Sequence, residues 1–175
     1  IVGILDGKRI LITGVLTDTS LAFAVAQLSQ KEGAEVVLTG ADRGLSLTKR
    51  TARKLSKEVE VLEFDVTSSS HASTVHEWLS KNWNQVDGAL HAIGFAPEIC
   101  LGDDFMAPTW EDVKSAMEVS AYSFKTVAEV VSPLMHNGGS IVGLDFDARF
   151  AWPAYNWMGV AKAALESTSR YLARS

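Results

Sequence analysis

Five short runs of consecutive apolar, often β-branched residues, at positions 8–13, 35–39, 59–64, 88–92 and 139–146, alternate with longer stretches of helical periodicity. A strand with one wet face alternates apolar and polar side chains, whereas an unbroken apolar strand is covered on both faces. The helical stretches fall at 20–33, 43–55, 70–83, 109–136 and 155–173. Five successive β–α units of this kind predict an α/β fold with a doubly wound, mostly parallel sheet. No linker, tandem repeat or low-complexity tract interrupts the rhythm, so residues 1–175 read as a single domain.

Composition removes several classes of function. Sixteen Lys and Arg against 21 Asp and Glu give a net charge of −5 without a basic run, which argues against nucleic acid as a partner. One cysteine, Cys100, allows no internal disulfide and anchors no metal-binding array. His71, His76, His91 and His136 lack metal-ligand spacing, and the pair His71 and His76 is expected as solvated side chains on a surface helix. No apolar run approaches the ~18 residues of a membrane span, and no signal-peptide pattern opens the chain, so membrane insertion is not expected and the reading is cytoplasmic. The stretch at 109–136 starts at Pro108 and Thr109 with an acid three residues on, and stops at Asn137, Gly138 and Gly139. Its stripe of Trp110, Val113, Met117, Phe124, Val127, Val131 and Leu134 reads as core and subunit packing.

In a doubly wound sheet, ligands bind beyond the carboxyl ends of the strands where strand order reverses. Three strand ends carry residues suited to a dinucleotide. After the first strand, Gly14 permits a sharp turn and close approach of a pyrophosphate, and Ser20 caps the next helix, whose free N–H groups favour an anion. Asp18 and Ser20 stand where a G-x-G-x-x-G loop would have its later glycines, so this turn alone is a weak signal. The third strand ends in Phe64, Asp65 and Val66, a carboxylate placed for an adenine amine, and the fourth in Ile93 and Gly94. Together they predict a Rossmann-like NAD(P)-binding domain. Asp42, just past the second strand, suits a free ribose hydroxyl, while Arg43 suits a 2′-phosphate. On residues alone, NADH and NADPH both remain open.

Tyr155 and Lys162 supply the chemistry. Seven residues of helix turn 700°, about 20° short of two full turns, which would put both side chains on one face roughly 10 Å apart. Lys162 could then hold ribose hydroxyls while Tyr155 projects toward a reacting carbonyl, its phenolate favoured by the ammonium.

These residues resemble the short-chain dehydrogenase/reductase superfamily, and within it the enoyl-[acyl-carrier-protein] reductases. The resemblance rests on Gly14-x5-Ser20-x-Ala22, Asp65 with Val66, Ile93 with Gly94, and Tyr155-x6-Lys162. Residues 140–146 and 153–158 are similar to the NADH-dependent actinobacterial (mycobacterial, isoniazid-target) type of mycolic acid elongation. The resemblance implies that Ser20, Leu21, Asp65, Val66, Ile93, Gly94, Val119 and Lys162 contact NADH rather than NADPH, that Tyr155 stabilises an enolate oxygen on the substrate, and that Phe146 lies beside the nicotinamide. It implies reduction of trans-2-enoyl thioesters on acyl carrier protein in fatty acid biosynthesis, by a homotetramer built through the helices at 109–136 and 155–173. It also implies a longer chain, because relatives continue with further strands and a substrate-binding segment, and the sequence is therefore read as incomplete. Ala41 departs from the aromatic that relatives place against adenine.

Two alternatives accompany that reading. A carbonyl-reducing short-chain reductase would place a serine near the end of the fifth strand, where this chain has Gly143, Leu144 and Asp145, and Ser140 falls at the strand's beginning. A non-catalytic dinucleotide-binding scaffold would have no reason to keep both Tyr155 and Lys162.

Overall fold

The computed structural model describes residues 3–175. Strands β1 (Arg9–Ile12), β2 (Glu35–Gly40), β3 (Glu60–Glu63), β4 (Gly88–His91) and β5 (Ser140–Gly143) form one sheet in the order β3-β2-β1-β4-β5. β1 pairs in parallel with β2 on one side and β4 on the other, aligning Leu11 with Val37 and Ala89. The chain runs outward from β1 to β3 and then returns to the other flank of β1. The switch point of the doubly wound sheet therefore lies between β1 and β4. The α/β architecture matches the sequence pattern, and the strand boundaries agree to within one residue except at β5.

The chain forms two compact units: the part up to Ala92 together with Val127–Val142, and Ile93–Thr126 together with Gly143–Ser175. The first holds the sheet from β1 to β4 with helices α1 (Leu21–Lys31), α2 (Asp42–Ala52) and α3 (Ser69–Asn82). Leu11, Ile12 and Leu38 are fully buried, as are Val75 and Leu79 of α3. Each such side chain contributes about 1.5–3 kcal/mol by leaving water. α3 is not an idle surface helix. The His71 Nδ1 accepts from the Asp65 N–H at 3.1 Å, and the His76 Nδ1 lies 2.8 Å from the Val130 carbonyl. The expectation of two solvated histidines is thus corrected: both rings terminate backbone groups that would otherwise lack a partner.

The second unit contains α4 (Trp110–Met117) and α6 (Asn156–Leu172), with a 3-10 turn at Glu98–Cys100. The stretch at 109–136 is not one helix. α4 starts with a capping box in which the Thr109 side chain accepts from the Asp112 N–H and Asp112 answers on the Thr109 N–H at 2.9 Å. A π turn (Glu118–Tyr122) follows, then α5 (Ser123–Val131) and a 3-10 turn (Ser132–Leu134). Two local causes are visible. The Ser123 hydroxyl donates 2.6 Å to the Val119 carbonyl, a bond that bends helices, and Pro133 cannot continue an α-helical ladder. Val113, Phe124, Val127, Val131 and Leu134 are buried as the apolar stripe predicts, but Trp110 is 68% exposed. It sits in the first turn of α4, ahead of the buried Val113 and Ala116. Among the described residues no helix is long and apolar enough to cross a membrane.

Candidate active site

In the first unit, the turn after β1 is shaped by its neighbour in the sheet. Gly14 has φ +77°, and a Cβ there would stand 1.9 Å from the Ala92 carbonyl oxygen. Glycine is required by the crossing of two backbones, whatever else the turn binds. Thr13 fastens that crossing: its hydroxyl donates to the Leu90 carbonyl and accepts from the Ala92 N–H, both at 2.9 Å. Ser20 is the N-cap of α1, accepting from the Phe23 N–H at 3.2 Å, and Leu21 is 71% exposed at the first helical position. The N–H groups of this first turn point outward with the positive end of the helix dipole. Asp65 holds a local turn, one carboxylate oxygen accepting from the Thr67 N–H at 2.9 Å and hydroxyl at 2.8 Å, and Val66 is buried. Asp42 and Arg43 are both exposed at the start of α2, which Ala41 caps without a side-chain bond.

In the second unit, α6 starts at Asn156, so Tyr155 is its N-cap and not a residue of its interior. Ala154 and Asn156 flank it with φ of +60° and +47°. Left-handed backbone on either side of one residue invalidates the two-turn arithmetic from Tyr155 to Lys162. The two side chains meet instead on residues 144–146. Lys162, only 7% exposed, donates from Nζ to the Leu144 carbonyl at 2.9 Å, and the Phe146 ring lies 4.6 Å from the Tyr155 ring, centroid to centroid. β5 therefore ends at Gly143, three residues short of Phe146, because the next carbonyl is given to Lys162 and not to the sheet.

The electrostatics also differ from the sequence expectation. Burial, and then the Asp145 carboxylate, push the Tyr155 phenol above the usual tyrosine range. The expectation of a phenolate favoured by Lys162 is corrected: burial and then the Asp145 carboxylate both favour the protonated phenol. Burial lowers Lys162 below an ordinary lysine while Asp145 opposes the shift. Asp145 itself is raised, chiefly by burial, with Glu166 adding to the effect through charge and a side-chain hydrogen bond. Sequence reasoning treated Asp145 only as a position that is not serine. Its signal was available in Glu166, which follows Lys162 by four residues and so shares its helix face.

Gly94 completes the set. A Cβ built there would sit 3.9 Å from both the Lys162 Nζ and the Ser120 hydroxyl, in open contact distance and without a clash. The Gly94 α-carbon thus faces a recess walled by an ammonium and a hydroxyl. Lys162 has three donors and gives one to Leu144, so the recess suits a group rich in hydroxyl acceptors, as a ribose is. Val119 lies half-buried in the π turn. An apolar cleft of about 560 Å³ runs beside Tyr155, lined among others by Phe105, Phe150, Trp152, Val160 and Ala163. The segment at 102–105 is tied across the cleft: the Gly102 N–H donates to the Ala154 carbonyl at 2.9 Å, and the Trp157 indole N–H to the Phe105 carbonyl at 3.1 Å.

A family described as enoyl-(acyl carrier protein) reductase matches residues 14–175. An enoyl-[acyl-carrier-protein] reductase [NADH] of Mycolicibacterium smegmatis is 48% identical over 98% of this chain, which covers 65% of that relative. The protein of the same name from Mycobacterium avium is 43% identical, again over 98% of this chain and 65% of the relative. A namesake from Escherichia coli is 38% identical over 99% of this chain and 67% of its own length. The chain spans about two thirds of each of these relatives, and it belongs to the enoyl-(acyl carrier protein) reductase family.

Proposed function

We propose that this protein uses NADH to reduce the C2=C3 double bond of trans-2-enoyl thioesters borne on acyl carrier protein, in fatty acid or mycolic acid elongation, and that residues 1–175 serve as one NAD(P)-binding domain for that purpose. The observation that carries the reading is the buried Lys162 ammonium, fixed on the Leu144 carbonyl beside the Gly94 recess, with Tyr155 reaching the same segment through Phe146. Family membership with relatives named as NADH-dependent enoyl reductases gives independent support.

NADH supplies a hydride to C3 of the substrate when bound. Negative charge would then develop on the thioester oxygen, where the Tyr155 hydroxyl stabilises it by donating a hydrogen bond, and a proton from water would reach C2 to complete the reduction. A raised phenol suits that role, because the donor keeps its proton throughout the neutral range. Lys162 holds the ribose hydroxyls with the N–H groups not given to Leu144. Gly14, Ser20 and Leu21 bind the pyrophosphate turn, Asp65 and Val66 the adenine, and Ile93, Gly94 and Val119 the remainder. Phe146 flanks the nicotinamide, and the cleft lined by Phe150 and Trp152 takes the start of the acyl chain. A homotetramer in the cytoplasm belongs to the same proposal, supported by the large apolar side chains exposed on α4, the π turn and α6: Trp110, Tyr122, Val160 and Tyr171.

The test uses the whole gene product with NADH and a trans-2-enoyl thioester, following loss of NADH absorbance. Tyr155→Phe is expected to lower turnover on the order of 100-fold, as removal of one oxyanion donor does elsewhere, with NADH affinity little changed. Turnover of 3-ketoacyl thioesters in place of enoyl thioesters would refute the assignment in favour of carbonyl reduction.

A further inference from the structure

We infer that Ser120 is a positioning residue of the cofactor site: its buried hydroxyl, bonded to both backbone polar groups of Phe95, holds Gly94 opposite the Lys162 ammonium. This rests on the functional reading above and adds to it a residue that the reading does not include.

Past the end of β4 at His91 the chain leaves the ladder, and the backbone groups of the next residues need other partners. The Ser120 hydroxyl accepts from the Phe95 N–H at 2.9 Å and donates to the Phe95 carbonyl at 2.7 Å. A hydroxyl has one proton and two lone pairs, so it can satisfy both groups of a single residue at once, as a neighbouring strand would. Ser120 has no exposed surface, and water cannot substitute for it. The Phe95 side chain, by contrast, is 52% exposed, so packing of its ring does little to fix this turn. The hydroxyl does.

The position of Ser120 depends on the π turn. In regular helix a serine hydroxyl readily folds back on the carbonyl four residues earlier, as Ser123 does on Val119. Ser120 instead directs its hydroxyl out of its own helix, toward Phe95. The same oxygen lies 3.9 Å from the place a Gly94 Cβ would occupy, the distance at which the Lys162 Nζ stands from that place. One hydroxyl therefore both sets the Gly94 backbone and forms a wall of the recess that Lys162 serves. A shift of Phe95 carries Gly94 with it and changes the width of that recess.

The experiment measures NADH affinity, steady-state constants and amide exchange on the whole gene product carrying Ser120→Ala or the near-isosteric Ser120→Cys, whose thiol is a weak donor and acceptor. Loss of a buried hydrogen-bonded pair predicts a rise of about tenfold in the Kd for NADH. The KM for NADH should rise more than kcat falls, and the Phe95 amide should lose exchange protection. Should Ser120→Ala fold poorly, Ser120→Cys gives the same readings with the side-chain volume retained. Faster exchange at Phe95 or a lower Tm with an unchanged Kd would show a role in folding alone and overturn the inference. Wild-type protein that fails to bind NADH would instead overturn the functional reading on which it rests.

Discussion

Gly14 and Gly94 both stand at strand ends in the proposed cofactor site, yet replacing each with alanine should have opposite consequences. At Gly14 the backbone is left-handed, which costs an L-residue roughly 1–2 kcal/mol. The new methyl would also meet the Ala92 carbonyl oxygen at 1.9 Å and its carbon at 2.7 Å, both backbone atoms. Ala92 is held by the Thr13 hydroxyl, so making room means shifting β4 against β1 and weakening that bond. Overpacking of this kind costs typically about 1–3 kcal/mol, and a lost hydrogen bond about 1 kcal/mol. The expected loss of about 3–6 kcal/mol is a large fraction of the ~5–15 kcal/mol that holds an ordinary domain together. With a urea dependence of about 2 kcal/mol per molar, the unfolding midpoint of Gly14→Ala should fall by about 2 M. At Gly94 the methyl makes ordinary contacts at 3.9 Å, and the position is not among those with left-handed backbone. Gly94→Ala should leave the midpoint within about 0.5 M but fill the recess beside Lys162 and weaken NADH binding. Equal midpoints for the two variants, or a drop confined to Gly94→Ala, would refute the assignment of Gly14 to the strand crossing and Gly94 to the recess.

Asp145→Asn removes the carboxylate that raises both Tyr155 and Lys162. Each group then loses its proton at lower pH, and the alkaline limb of the kcat profile should move toward neutrality; an unmoved limb would show that neither group governs it. Thr109→Ala removes the acceptor of the α4 capping box and should cost about 1 kcal/mol in urea unfolding, with turnover at saturating substrate unaffected.

β1, β2 and β4 were legible because residues buried on both faces of a sheet must be apolar without interruption, a property of single positions, whereas β3 and β5 hold no buried residue. The order β3-β2-β1-β4-β5 was not legible, because the connection rules for five β–α units allow more than one doubly wound order. What escaped the sequence were features set by contacts between distant positions. Residues 139–146 read as one strand, but Lys162 takes the Leu144 carbonyl across 18 residues and ends it early. Pro133 was a visible stop inside 109–136. The π turn was not: the Ser123 hydroxyl that bends the chain there looks like any other helix serine, and the Ser120 hydroxyl within the turn goes to Phe95, 25 residues away. The aromatic stripe on that stretch correctly marked a buried face but gave no hint that Trp110 lies outside it.

The same distinction separates what the sequence implied about Tyr155 from what the fold makes of it. Spacing suggested a phenol and an ammonium in line on one helix face, the ammonium drawing the phenol toward its charged form. Left-handed backbone at Ala154 and Asn156 places Tyr155 outside that helix, in conformations that cost non-glycine residues of order 1 kcal/mol each. The surroundings must sustain that cost, and two contacts of the neighbouring residues do so: the Ala154 carbonyl accepts from the Gly102 N–H, and the Asn156 amide donates to the Asp104 carbonyl at 3.1 Å. Held there, Tyr155 lies against Phe146 and near Asp145, and its partner in charge is a carboxylate that protects its proton. For carbonyl reduction, where a proton must leave the phenol, such a neighbour is a hindrance. For an enolate oxygen that needs a donor which keeps its proton, it is an advantage. The direction of the shift on this one hydroxyl accords with the donor role proposed for Tyr155.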